Sequence, residues 1–191
     1  MSDDFIYSEY LQDESICDEL IEYFKKYNTK QPGRSGGRVN IIDKDSTDIG
    51  IQVADAVNHP VLSRYLEALD KVCDGFKKKY VYCNERMNRW AIVEGFNIQH
   101  YKPGQGYHAW HSERTGSNVQ DISRMLVFMT YLNDVNDGGE THFYYQGRKI
   151  VPRKGLTLIW PADWTHTHKG IVSMTEEKYI LTGWFSYTAL L

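Results

Sequence analysis

Apolar side chains recur at helical spacing twice near the start of the chain, then give way to the alternation of strands. Ile16, Leu20, Phe24 and Tyr27 share one face and predict a helix over residues 13–27, with Asp13 as its cap. Acids crowd its first turns and Lys25 and Lys26 its last, as the helix dipole favours. Leu62, Leu66, Leu69, Val72 and Phe76 form one stripe and predict a second helix over residues 61–79. Between the two, residues 29–40 hold Pro32, Gly33, Gly36 and Gly37 beside Arg34 and Arg38, and read as a mobile loop. From about residue 80 the segments become short, aromatic and β-branched. Strands are expected at 91–101, 124–132, 141–145, 149–151, 156–160, 166–172 and 178–187, separated by Pro-Gly, Asn-Asp and Asp-Gly-Gly turns. Strand follows strand without intervening helices, so antiparallel pairing is expected. The fold class is mainly β (α+β), a double-stranded β-helix or jelly roll backed by N-terminal helices.

Composition adds boundaries to this picture. A length of 191 residues with 41% hydrophobic content suits one domain, 1–191, with a helical layer over about 1–80 and a β core over about 81–191. The net charge of −3 comes from interspersed acids and bases, which lacks the basic footprint of a dedicated nucleic-acid binder. Cys17, Cys73 and Cys83 are odd in number and without metal-site spacing, which argues for a reduced, intracellular setting. Neither a secretory leader nor an apolar run of the ~20 residues needed to span a bilayer is visible, so a cytoplasmic protein without membrane contact is expected.

The candidate chemistry centres on Tyr101 to Glu113. His111 and Glu113 lie two apart, and in extended backbone both side chains point to one side. His166 and His168 have the same spacing, and either could complete the set. Two histidines and one carboxylate on one face of an octahedral metal leave three positions open, the pattern of non-haem Fe(II) oxygenases. A 2-oxo acid would take two of those positions and leave one for dioxygen. If that acid is 2-oxoglutarate, its far carboxylate needs a buried cation. Lys178, on the next expected strand, shares a face with Ile180, Thr182 and Trp184, and a bound carboxylate would remove the cost of burying it.

At this point the chain resembles the 2-oxoglutarate and Fe(II)-dependent dioxygenases, specifically their prolyl 4-hydroxylase-like branch. The resemblance spans about residues 97–187. Tyr101-x-Pro103-Gly104-Gln105-x-Tyr107 is similar to the motif leading into the first metal histidine. Tyr131-Leu132-Asn133-Asp134-Val135 followed by Gly138-Gly139-Glu140-Thr141 is similar to a second block. His168-x-Gly170, Lys178-Tyr179 and Trp184 resemble the closing one. The resemblance implies a metal site of His111, Glu113 and His168, which are also the catalytic set, with His166 a neighbour. It implies Tyr101, Thr141 and Lys178 around the far carboxylate of 2-oxoglutarate, and Tyr107, Arg124 and Trp184 along the substrate site. It further implies Fe(II), 2-oxoglutarate and O2 as cofactors and co-substrates, with ascorbate as an auxiliary reductant. The chain departs from the pattern twice: Glu113 stands where the family has Asp, and one extra residue separates Tyr107 from His111. The longer side chain is expected to compensate for the shift.

The implied reaction is hydroxylation of an unactivated C–H bond with release of succinate and CO2. A prolyl residue of a peptide or protein is the first substrate, while a free amino acid, another side chain or a nucleobase would use the same core. A non-catalytic metal-binding β-barrel sensor and a zinc hydrolase are the rival classes. The segments 29–50 and 80–90 are the candidate lids. His108 should face away from the metal, and Trp90, Trp110 and Trp164 are assigned to packing or cavity walls.

Overall fold

The computed structural model describes residues 3–87 and 89–188. In chain order the elements are β1 (Tyr7–Tyr10), α1 (Ser15–Lys26), β2 (Gln31–Pro32), β3 (Lys44–Asp45), β4 (Thr47–Ile51), α2 (Val53–Asn58), α3 (Pro60–Lys79), α4 (Val81–Glu85), β5 (Trp90–Ala91), β6 (Phe96–Tyr101) and β7 (Gly106–Tyr107). The remainder are α5 (Val119–Ser123), β8 (Arg124–Tyr131), β9 (Thr141–Phe143), β10 (Arg148–Ile150), β11 (Leu156–Pro161), a 3-10 turn (Trp164–His166), β12 (His168–Gly170) and β13 (Lys178–Tyr187). The larger sheet runs β1-β11-β8-β13-β6-β4-β2, with β5 also on β13, and a smaller sheet runs β10-β9-β12. Pairing is antiparallel in both. This is the expected jelly roll, two sheets enclosing a cavity.

Strand alternation divides the buried side chains into two sets. Along β8, Leu126 and Phe128 join the α1 and α3 residues Leu20, Phe24, Leu62 and Leu69 in one cluster. Val127, Met129 and Tyr131 point the other way, to a second cluster with Phe143, Leu158 and Trp160. A strand that is apolar on both faces is what a sheet covered by helices on one side and a second sheet on the other requires. Gly183 marks the tightest point of β13. A Cβ there would lie 2.4 Å from Phe128 Cζ and 2.6 Å from Phe96 Cβ. Gly183→Ala is therefore expected to destabilise the fold by about 1–3 kcal/mol, as overpacked cores do, measured by urea unfolding.

Several expectations need correction. Residues 29–51, assigned to a mobile loop and helical layer, contribute strands β2 and β4 to the larger sheet and β3 to a pair with β7. The first helix starts at Ser15, and Asp13 supports it by accepting from the Ser15 backbone N–H at 3.0 Å. The strand expected at 91–101 is split into β5 and β6, because Gly95 passes so close to Ile51 that a Cβ would sit 2.9 Å from its carbonyl oxygen. The segment 166–172 is not one strand: His166 closes the 3-10 turn and only His168–Gly170 pairs with β9. No helix among the described residues is long and apolar enough to cross a membrane.

Candidate metal centre

His111 and His168 face each other across a two-hydrogen-bond bridge, His111 N–H to His168 O at 3.0 Å and His168 N–H to His111 O at 2.9 Å. Directly opposed residues in such a pair put their side chains on the same side, and the ring centroids are 4.3 Å apart. Glu113 follows, pinned by its N–H to Ala162 O at 3.2 Å. Its Oε1 lies 3.4 Å from His111 Nε2 and 3.6 Å from His168 Nε2. One ligand atom from each of the three falls within 4.8 Å of the others.

The donor chemistry fits a divalent cation. His111 Nδ1 lies 3.0 Å from Ala109 O, and His168 Nδ1 lies 2.9 Å from His166 O. A carbonyl only accepts, so both Nδ1 atoms carry hydrogen and both Nε2 atoms turn a lone pair toward Glu113. Burial, followed by the nearby His111, lowers the His168 pKa to about 3, so this imidazole is neutral at ordinary pH. Burial alone would raise the Glu113 carboxyl. The polar His111 and His168 side chains and the Arg124 guanidinium outweigh it and hold the carboxyl below its usual range. The result is an anionic oxygen facing the Nε2 atoms of two imidazoles.

The second carboxylate oxygen is held separately. Trp184 Nε1 donates to Glu113 Oε2 at 2.9 Å. The Arg124 guanidinium stacks 3.6 Å from the Trp184 ring centroid and donates to Glu113 O at 3.1 Å. Arg124 is itself gripped by buried Glu94 through bonds of 2.8 and 2.7 Å. Arg124 and Trp184, expected along the substrate site, thus have their polar atoms engaged in positioning Glu113, although both also line the cavity. Trp184→Phe is expected to weaken Co(II) or Mn(II) binding to the apoprotein about tenfold, read by calorimetric titration, with melting temperature little changed.

The extra residue before His111 has a local explanation. β7 pairs Tyr107 with Lys44, and the next two N–H groups, of His108 and Ala109, both donate to Asp43 O at 2.7 and 3.1 Å. Two residues opposing one is a β-bulge. It absorbs the insertion and leaves His108 exposed, off the metal set. Tyr107 then stacks on the His111 imidazole, centroids 3.6 Å apart, and its hydroxyl donates to Ser35 Oγ at 3.0 Å.

A cavity of about 640 Å3 opens beside these groups. Lys178 and Tyr101 are Cα partners in β13 and β6, and Lys178 Nζ sits 4.9 Å from the Tyr101 ring centroid. Lys178 donates to Gly139 O at 3.0 Å and makes no ion pair among the described residues. Its burial lowers its pKa to about 8, with Glu140 opposing the fall. Thr141 Oγ1 accepts from Tyr131 OH at 2.6 Å, which leaves its own hydrogen free for a ligand. Ile180, Thr182 and Trp184 line the same cavity as Lys178, as their alternation requires.

Of the other expected residues, His166 is turned away: its Nε2 lies 3.0 Å from Asp4 O. The 29–50 segment forms a cavity wall through Gln31, Arg34, Gly36 and Lys44, whereas the described residues of 80–90 are absent from the lining. Lys44 and Glu94 had no sequence signal. Lys44 is buried against Asp48 at 2.7 Å, and Glu94 meets Arg124 across 30 residues.

Comparison with known proteins agrees with this geometry. The family model described as the 2OG-Fe(II) oxygenase superfamily matches residues 96–186. A probable prolyl 4-hydroxylase 9 of Arabidopsis thaliana is 30% identical over 115 residues, covering 48% of this chain and 40% of that protein. The match thus spans well under half of that relative's length. A viral collagen prolyl hydroxylase from Paramecium bursaria Chlorella virus-1, solved with 2OG, superposes with a TM-score of 0.70 at 20% identity, covering 96% of this chain and 97% of that one. A prolyl hydroxylase from Trichoplax adhaerens, solved with a hypoxia inducible factor peptide fragment, gives a TM-score of 0.72 at 17% identity, with coverages of 96% and 84%. Residues 96–186 are thus similar to the 2OG-Fe(II) oxygenase superfamily, and the curated relative that they match is named as a prolyl 4-hydroxylase.

Proposed function

We propose that the chain is a 2-oxoglutarate- and Fe(II)-dependent oxygenase that hydroxylates a prolyl residue of a peptide or protein. One observation carries the reading: three metal-ligand atoms within 4.8 Å open onto a cavity that is also lined by buried Lys178, which has no carboxylate partner among the described residues. His111, Glu113 and His168 would hold the iron. Lys178, Tyr101 and Thr141 would take the far carboxylate of 2-oxoglutarate. Iron bound there supplies dioxygen activation, coupled to conversion of 2-oxoglutarate and O2 into succinate, CO2 and one hydroxyl on the substrate. Tyr107 orients His111 by stacking and walls the substrate side. Arg124 and Trp184 fix Glu113, so that one carboxylate oxygen remains for the metal. The substrate assignment draws on the names of four similar proteins that are described as prolyl hydroxylases. Ascorbate as auxiliary reductant and a cytoplasmic location belong to the same proposal, the latter supported by three free cysteines.

The test is a peptide-array screen with Fe(II), ascorbate and labelled 2-oxoglutarate, read by mass spectrometry and succinate release. Gain of one oxygen on proline, abolished by Glu113→Ala and His168→Ala, is the expected result. Gain on another residue would replace the substrate class. Absence of succinate with every peptide and with free amino acids would favour a non-catalytic metal protein.

A further inference from the structure

The strands that carry the metal site inward present a different surface outward. In β9, Thr141 and Phe143 are buried while His142 and, just past the strand, Tyr144 face out, and in β12 the buried His168 is followed by the outward Lys169. Register places Lys149, His142 and Lys169 side by side across the three strands. Neither lysine makes an ion pair among the described residues. Burial, together with these two lysines, lowers the His142 pKa. Lys149 and Lys169, two strands apart with His142 between them, make a local positive patch that carboxylates of a ligand would complement.

Aromatic rings extend the same face. Trp110 meets His142 at 5.0 Å and Tyr144 at 5.0 Å; Tyr144 meets Tyr145 at 5.1 Å, and Tyr145 meets Trp164 at 5.8 Å. Lys169 Nζ sits 4.7 Å from the Trp110 ring centroid. These rings are exposed by 38% (Trp110), 57% (Tyr144), 60% (Tyr145) and 65% (Trp164), whereas inward-facing Trp160 is 1% exposed. The row begins at the active-site mouth, because Trp110 precedes His111 and Lys169 lines the cavity.

Ring geometry selects the ligand. The contacts within the Trp110, Tyr144, Tyr145 and Trp164 row are near-perpendicular, at 80–86°. Perpendicular rings leave notches that seat pyrrolidine rings of a polyproline II segment. A nucleic-acid platform instead offers flat faces to successive bases.

We propose that the outer face of the β9, β10 and β12 sheet is a docking strip for the part of a peptide substrate that flanks the target residue, a proline-rich segment bearing acidic side chains. The acids meet Lys149 and Lys169, and the prolines meet the aromatic row. This inference rests on the peptide-hydroxylation reading above. The strip supplies affinity and selects the substrate; the chemistry stays in the cavity.

Three peptides separate the possibilities. One carries a target proline with a flank rich in proline and glutamate; a second replaces the glutamates by lysine; a third lacks the flank. The variants are Tyr145→Ala with Trp164→Ala, and Lys149→Glu. For the first peptide, each variant is expected to raise KM about tenfold with kcat unchanged, and to weaken fluorescence-anisotropy binding equally. The flankless peptide should show no change, and Lys149→Glu should improve binding of the lysine-flanked one. Hydroxylation with KM insensitive to both variants would overturn the docking strip and leave the activity standing. Variant-sensitive binding without hydroxylation would support the strip and remove the prolyl reading. Single-stranded RNA that binds more tightly than every peptide, in a variant-sensitive way, would overturn the peptide as occupant.

Discussion

Lys178→Met is expected to abolish 2-oxoglutarate binding while making the apoprotein more stable. The ammonium is buried and, among the described residues, bonded only to the Gly139 carbonyl, with its pKa at about 8 instead of 10.5. A lysine whose folded pKa lies below its unfolded one opposes folding. That penalty is full below pH 8, where both states carry the proton, and vanishes as pH rises from 8 to 10.5. Its size is on the order of 3 kcal/mol. Wild-type apoprotein should therefore gain stability across that pH window, and the methionine variant should lack the gain and melt higher at pH 7. Binding 2-oxoglutarate reverses the balance, because its far carboxylate supplies the missing partner. Removing one member of a buried hydrogen-bonded charge pair costs about 2–5 kcal/mol, or roughly 30- to several-thousand-fold in affinity. Calorimetric titration of 2-oxoglutarate and thermal melting with and without it measure both halves. Unchanged affinity in the variant would mean that the co-substrate lies elsewhere in the cavity.

Lys178 was also the residue most legible in the sequence. Its strand, Lys178–Tyr187, has the expected bounds, because ten residues of alternation between turn signals leave one register. His111, Glu113 and His168 were legible for a similar reason: spacing in extended backbone constrains side-chain direction. His166 remained undecided by spacing alone. Its exclusion depends on a 3-10 turn and on a contact with Asp4, 162 positions away, which no local pattern encodes. Strands β2 and β3 have only two residues each, and β2 contains proline, so they exist through their neighbours. Trp110 and Trp164 were assigned to packing or cavity walls, yet they are exposed. Aromatic content reads as core unless partners are known. The contacts of Arg124 and Trp184 with Glu113 escaped the sequence for the same reason: Glu94, which grips Arg124, lies in a short apolar run with no hint of pairing.

Glu113→Asp restores the residue usual in the family and is nevertheless expected to cost metal affinity by more than ~100-fold. The backbone at 113 cannot advance to compensate. Its N–H is tied to Ala162 O at 3.2 Å, and its carbonyl accepts from Arg124 at 3.1 Å. Arg124 is in turn locked to Glu94, and His111 is locked opposite His168. Loss of one methylene withdraws the carboxylate by about 1.5 Å, whereas metal sites tolerate distance errors of about 0.2 Å. The shorter side chain would also leave Trp184 Nε1, which reaches Oε2 at 2.9 Å in the native chain. Titration of apoprotein with Mn(II), followed by electron paramagnetic resonance, reads the affinity without turnover. Circular dichroism should show the fold intact, because Glu113 is a member of neither apolar cluster. Native affinity in the aspartate variant would show that the 111–114 segment slides, and that the bulge at His108 and Ala109 is a flexible spacer. Loss of affinity would identify that bulge and the longer carboxylate as matched features: one extra backbone residue displaces the ligand position, and one extra methylene returns the oxygen to it.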